Sequence, residues 1–119
     1  MARIADYVIV SDSKVSMRIG GDIDKEFTFN MPSNLHRGSR SILACMLDTV
    51  DPDDLKFNIK INGSQVFDAR YNSDVFHTVH EVIPADLLNV NNNQLKITVT
   101  GGGGELQVGD ITILSQVEV

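Results

Sequence analysis

The chain has 119 residues, 42% of them hydrophobic and 22% charged, and a formal net charge of -6. That length holds one domain and not two, spanning 1–119, and the apolar content excludes a disordered chain. The acidic balance, with no basic stretch denser than His36-Arg37-Gly38-Ser39-Arg40, excludes a nucleic-acid binder that tracks phosphates.

Read in order, the chain is a series of strands. Ile4 to Val10 is rich in β-branched residues, and Ser11-Asp12-Ser13 turns it. Val15, Met17 and Ile19 alternate with polar residues, as do Ile23, Phe27 and Phe29 after the Gly20-Gly21-Asp22 turn. Pro32 ends that strand, and the polar segment Ser33 to Ser39 reads as an exposed loop. Ser41 to Leu47 is apolar on both faces, which fits a central strand; periodicity alone leaves a short helix open. Asp48 to Asp54 reads as an acidic loop.

Leu55, Phe57, Ile59 and Ile61 alternate with Lys56, Asn58 and Lys60, the clearest strand of the chain. Asn62-Gly63 then predicts a type I′ hairpin turn, because both residues tolerate positive φ. Val66 and Phe67 return, Asn72-Ser73-Asp74 turns, and Val75 to Val82 makes another strand. Pro84 to Leu88 predicts one helical turn, with Pro84 at its first position and Asp86 complementing its dipole. Asn91-Asn92-Asn93 turns the chain into a strand from Leu95 to Val99. Gly101 to Gly104 reads as a flexible connector, and Leu106 to Val119 as one bent strand or two short ones. The expected fold is all-β: an antiparallel two-sheet β-sandwich of about eight or nine strands with one short helical turn.

Cys45 is the only cysteine, so no intrachain disulfide forms, and its apolar surroundings read as core rather than as a nucleophile. Met1 to Asp6 lacks the apolar run of a signal peptide, and no apolar segment reaches the roughly 18 residues of a membrane helix. The expectation is a chain without membrane insertion, cytoplasmic as written, or secreted if it is an excised module.

The residues Asn62-Gly63, Ile83-Pro84, Leu87-Leu88, Asn93-Gln94-Leu95, the strand Lys96 to Thr100 and Gly109 to Leu114 together resemble a known pattern. It is that of the galactose-binding-like, jelly-roll carbohydrate-binding modules, accessory domains of glycoside hydrolases and polysaccharide lyases. The resemblance covers the second half of the chain and departs from the pattern at Asn91-Asn92, where a glycine is usual. Asn reaches the same left-handed backbone. The resemblance implies a jelly roll and carbohydrate as partner; the motif residues are structural in the family, so it transfers no ligand residue.

The candidate sites come from the residues themselves. Sugars stack on aromatic rings and hydrogen-bond to polar side chains, and the chain has no Trp. Arg70, Tyr71 and Asn72 put an aromatic between two hydrogen-bonding residues at a strand end, with His36 and Arg37 joining from the long loop; the structural reading is a polar loop with Tyr71 covering the core edge. Asp48, Asp51, Asp53 and Asp54 fall within seven positions and suggest calcium, the one cofactor the composition offers, although their spacing is not that of an EF-hand and a solvated acidic turn accounts for them too. His77 and His80, three apart on a strand, point to opposite faces and make no metal pair. No catalytic motif is present. The leading expectation is a non-catalytic, lectin-like carbohydrate-binding module. The alternative is an assembly protein that forms a homo-oligomer or docks on a partner through its sandwich surface.

Overall fold

The computed structural model describes residues 2–119. Seven antiparallel strands form one continuous sheet: β1 (Arg3–Ser11), β2 (Val15–Met17), β3 (Asp24–Phe29), β4 (Ser41–Ile61), β5 (Ser64–Tyr71), β6 (Phe76–Ile83) and β7 (Asn93–Glu118). The path β1-β7-β4-β5 carries β2 and β3 on β7 and β6 on β4. The strands are fewer and longer than expected because β4 and β7 each join two of the anticipated strands across a bend. The expected separation into two sheets is therefore absent from the hydrogen bonding.

The bend is where the sequence misleads. Asp48 to Asp54 is not a loop, and Gly101 to Gly104 is not a loose connector; the two segments pair with each other, Asp53 opposite Gly103 and Lys56 opposite Gly101. The register slips between Val50 and Asp53 and again before Lys56 and Phe57. Such bulges bend both strands. Asp51 and Asp54 take left-handed φ of 49° and 52°, and Gly102 and Gly104 take 83° and 94°. A Cβ on Gly104 would sit 2.5 Å from the Asp51 carbonyl oxygen, so the close backbone approach requires glycine there. Pro52, which has no N–H for a ladder, is tolerated inside this bulged stretch.

On one side of the bend, β4 from Ser41 to Val50 pairs with β6 and with the second half of β7, which carries β1 and β2. On the other side, β4 from Leu55 to Ile61 pairs with β5 and with the first half of β7, which carries β3. Leu43, Cys45 and Leu47 from the first part and Phe57, Ile59, Leu95 and Ile97 from the second belong to one buried cluster. The sheet thus curls its apolar face around a single core.

The hairpin turn is as expected: Ile61 faces Ser64 across Asn62 (φ 51°) and Gly63 (φ 84°). The helical turn over Pro84–Leu88 is absent. In its place is a single turn closed by the Leu87 amide donating to the Pro84 carbonyl at 3.1 Å. The chain leaves the turn because Asn93 holds the segment from below. Buried Asn93 accepts from the Asn89 amide (2.8 Å) and from Asn62 Nδ2 (2.9 Å), and donates to the Asn89 carbonyl (2.7 Å). Asn62 in turn accepts from the Gln94 amide at 2.9 Å. The asparagines that carry the family resemblance therefore tie the hairpin to the Pro84–Asn93 segment, a structural task.

The segment Ser33 to Ser39 is strapped down rather than loose. The His36 amide donates to the Gln116 carbonyl and the Glu118 amide to the Asn34 carbonyl, both at 2.8 Å. No helix of the described residues is long and apolar enough to cross a membrane.

Candidate functional site

Alternation along β4 sends Leu55, Phe57, Ile59 and Ile61 into the core and Lys56, Asn58 and Lys60 to the opposite face. The registers put polar neighbours beside them. Asn58 lies opposite Asp68 on β5 and Thr98 on β7, Lys56 opposite Arg70, and Lys60 opposite Gln65 and Lys96. Residues directly opposite on antiparallel strands share a face. The result is a polar sheet face with a groove of about 390 Å³ lined by Lys56, Asn58, Gln65, Asp68, Arg70 and Thr100.

One end of the groove is fixed by ions. Asp54 receives Arg70 on both oxygens, Nη2 to Oδ2 at 2.9 Å and Nε to Oδ1, and Lys56 Nζ lies 3.5 Å from its Oδ2. The Arg70 hydrogen bond, opposed by desolvation and helped by the charges of Arg70 and Lys56, holds the Asp54 carboxyl below the usual carboxylate value. The left-handed backbone of Asp54 is braced by its amide donating to Asn72 Oδ1 at 2.7 Å. At the centre, Asn58 Oδ1 is shielded from solvent and accepts no hydrogen bond within the chain. An unpaired buried acceptor costs about 1–3 kcal/mol, so it marks a place where a donor is wanted.

The predicted rim divides. Arg70 lines the groove. Tyr71, its neighbour in β5, turns to the other face, stacks on Phe57 (centroids 6.0 Å apart, rings 26° off parallel) and pairs its hydroxyl with His77 Nε2 at 3.1 Å. Burial, and secondarily the nearby Cys45, raises its phenol pKa. Asn72 spends its oxygen on the Asp54 amide. His36 lies beside the Ser41 end of β4, remote along that strand from Leu55, which faces Tyr71. Its Nδ1 contacts Ser39 Oγ at 2.7 Å and Arg3 Nη1 at 3.3 Å. Arg37 is exposed on the same segment. The structure thus brings Arg70 together with Lys56, Asn58, Gln65, Asp68 and Thr100, not with His36 and Arg37.

The acidic run is also dispersed. Among the described residues, no three His, Cys, Asp or Glu side chains converge as a metal site. Because β4 stays paired through this stretch, its carboxylates spread along the strand. Asp48 binds Lys14 at 3.3 Å, Asp54 binds Arg70 and Lys56, Asp53 faces Gly103, and the Asp51 amide is held by Asp74 Oδ1 at 3.1 Å. His77 and His80 fall opposite Leu47 and Ala44, on opposite faces.

The groove residues Asn58, Gln65 and Asp68 escaped the sequence reading. A signal was available: the two-residue turn fixes Ile61 opposite Ser64 and Lys60 opposite Gln65, so the polar sides of both strands must coincide.

No protein-family model matches the chain, and no curated protein matches it. Solved structures do. The chain is similar to part of dimeric latent PorU from Porphyromonas gingivalis, at a TM-score of 0.71 and 10% identity, with 98% of this chain covering 13% of that one. It is similar to the xylan-binding module CBM15, at a TM-score of 0.61 and 10% identity over 96% of this chain and 97% of that one. The C-terminal domain of EclA, a sugar-binding protein, matches at 0.55 and 9% identity over 95% and 79%. Identities this low show the fold alone, an all-β fold shared with these proteins.

Proposed function

We propose that the chain is a non-catalytic carbohydrate-binding module, one jelly-roll domain whose two sheets are the two sides of the bend in β4 and β7. The glycan lies in the groove between β5, β4 and β7. The convergence of polar side chains from three strands on one groove carries this reading, with half-buried Asn58 at its centre. Around it, Gln65, Asp68, Arg70 and Thr100 offer donors and acceptors at the spacing of adjacent strands. The volume falls in the range of small-ligand sites. The groove offers no exposed aromatic ring, so recognition rests on hydrogen bonds, and affinity is modest.

A glycan array followed by affinity electrophoresis in soluble xylan tests this. The expected outcome is saturable binding to one glycan class, weakened about tenfold in Asn58→Leu, the loss of roughly one or two hydrogen bonds. Stability of that variant should not fall, since it removes an unpaired acceptor. Chelator should leave binding unchanged, because the acidic run does not converge. A blank array and unretarded migration of the folded protein would sink the proposal.

A further inference from the structure

The other side of the bend carries a face of opposite character. Register pairs Tyr7 with Leu114, Leu114 with Ile42, and Ile42 with Val82, so one apolar row crosses four strands from β1 to β6. All four side chains point away from the core; Tyr7 is 62% exposed and Val82 51%. The next row begins with exposed Ile9, and Phe76, opposite Asp48, is 70% exposed at one end of the same face. Scattered exposed hydrophobics are ordinary, but a continuous row across four strands, flanked by Ile9, marks an interaction surface.

The two ends of this face differ in charge. One end is a depression of about 200 Å³ lined by Ala5, Arg40, Ile42, Leu114 and Gln116. Arg40 there is exposed and forms no ion pair among the described residues. The other end is a depression of about 170 Å³ where Asp12, Asp48 and Asp110 surround Phe76 and Met46, with Lys14 the only cation. Three carboxylates against one ammonium leave that end net negative.

We propose that this face is the interface of a homodimer, the occupant being a second copy of the same chain. A two-fold axis lying between the faces at right angles to the strands turns one copy end for end over the other. Centred on Ala44, it sets each Arg40 over the partner copy's acidic depression and lays the Ile42 row over Met46 beside Phe76 of the partner copy. A face with an apolar row beside its basic end and with Met46 and Phe76 beside its acidic end is self-complementary in this arrangement. Four strands about 4.8 Å apart and eight steps of about 3.3 Å give roughly 500 Å² per copy. The pair buries roughly 1,000 Å², near the lower limit for a specific interface, so the dimer is weak, with a dissociation constant on the order of 10–100 µM. The polar groove lies across the bend, and two grooves on one dimer would raise avidity for a polymeric ligand.

Sedimentation equilibrium across that concentration range is the test. The full chain should pass from monomer to dimer, and Val82→Glu, which brings a carboxylate toward the acidic end of the partner copy, should weaken association at least about tenfold with an unchanged circular dichroism spectrum. Arg40→Glu and Asp12→Lys should each weaken it, and the double variant, which exchanges the two charges, should restore it. A monomer at roughly 1 mM, about tenfold above the expected constant, would overturn the proposal. So would a dimer that Val82→Glu and the charge variants leave intact.

Discussion

Arg70 and Asp54 show how a residue that reads as a ligand contact acquires a local duty first. Arg70 is held on both its Nε and Nη2 by one carboxylate, which fixes the orientation of its planar guanidinium at the end of the groove. The Asp54 carboxyl is depressed below 3.8, so the sign is that of a stabilised anion. The pair's contribution is fully present above that ordinary value and is lost as pH falls through the lower, folded value. Solvent screening keeps that contribution small. In an NMR titration Asp54 should titrate below the ordinary aspartate value, and Arg70→Ala should raise it back toward that value. An unchanged titration in that variant would show that Arg70 is not the cause. Tyr71 makes the complementary point: one residue along a strand reverses the face, so its ring serves the core edge while Arg70 serves the groove.

Among the elements, the bend in β4 and β7 decides the most. Gly102 and Gly104 are required there by two different facts, positive φ and the approach of the Asp54 and Asp51 carbonyls. Gly104→Ala should therefore cost about 2 kcal/mol or more, since it adds left-handed strain to a steric overlap that only a backbone shift relieves. Gly63, also at positive φ but with open space around its Cβ position, should cost less as Gly63→Ala. Urea unfolding of both variants checks the order, and equal losses would mean that close packing at the bend contributes nothing beyond backbone strain. The bend was hidden in the sequence for a physical reason. An aspartate-rich run and a four-glycine run each favour loops locally. Pairing between segments some fifty residues apart is a non-local contact that no window along the chain contains.

For the molecule as a whole, Cys45 is a reporter of cooperativity. It sits in the core cluster near the start of β4, and burial pushes its thiol up to about 11. A raised value means that the folded state favours the protonated form: this contribution to stability is complete below the unfolded value of 9.0 and is lost as pH rises toward about 11. At pH 8 a thiol reagent should therefore label Cys45 only through unfolding, at a rate that rises with denaturant in step with the loss of structure. Rapid labelling of the native protein would indicate local opening of β4 beside β6. A Cys45→Ala variant should lose the share of the alkaline pH dependence that begins near 9.0 and keep that of Tyr71.

Alternation and turn chemistry in the sequence determined which residues pair inward, where most strands lie and how the Asn62-Gly63 hairpin closes, because these depend on side-chain period and φ preference within a few residues. The same local terms suggested a helical turn at Pro84, which the Asn93 hydrogen bonds override by drawing the backbone down at Asn89. Only the tertiary structure decided that the acidic and glycine runs pair, that Arg70 parts from His36 and Arg37, and that Asn58 is left with a free acceptor. It alone aligned Tyr7, Leu114, Ile42 and Val82 across four strands drawn from the whole length of the chain. Those outcomes are set by register between distant strands, and register is fixed only when both faces of the sheet find their neighbours.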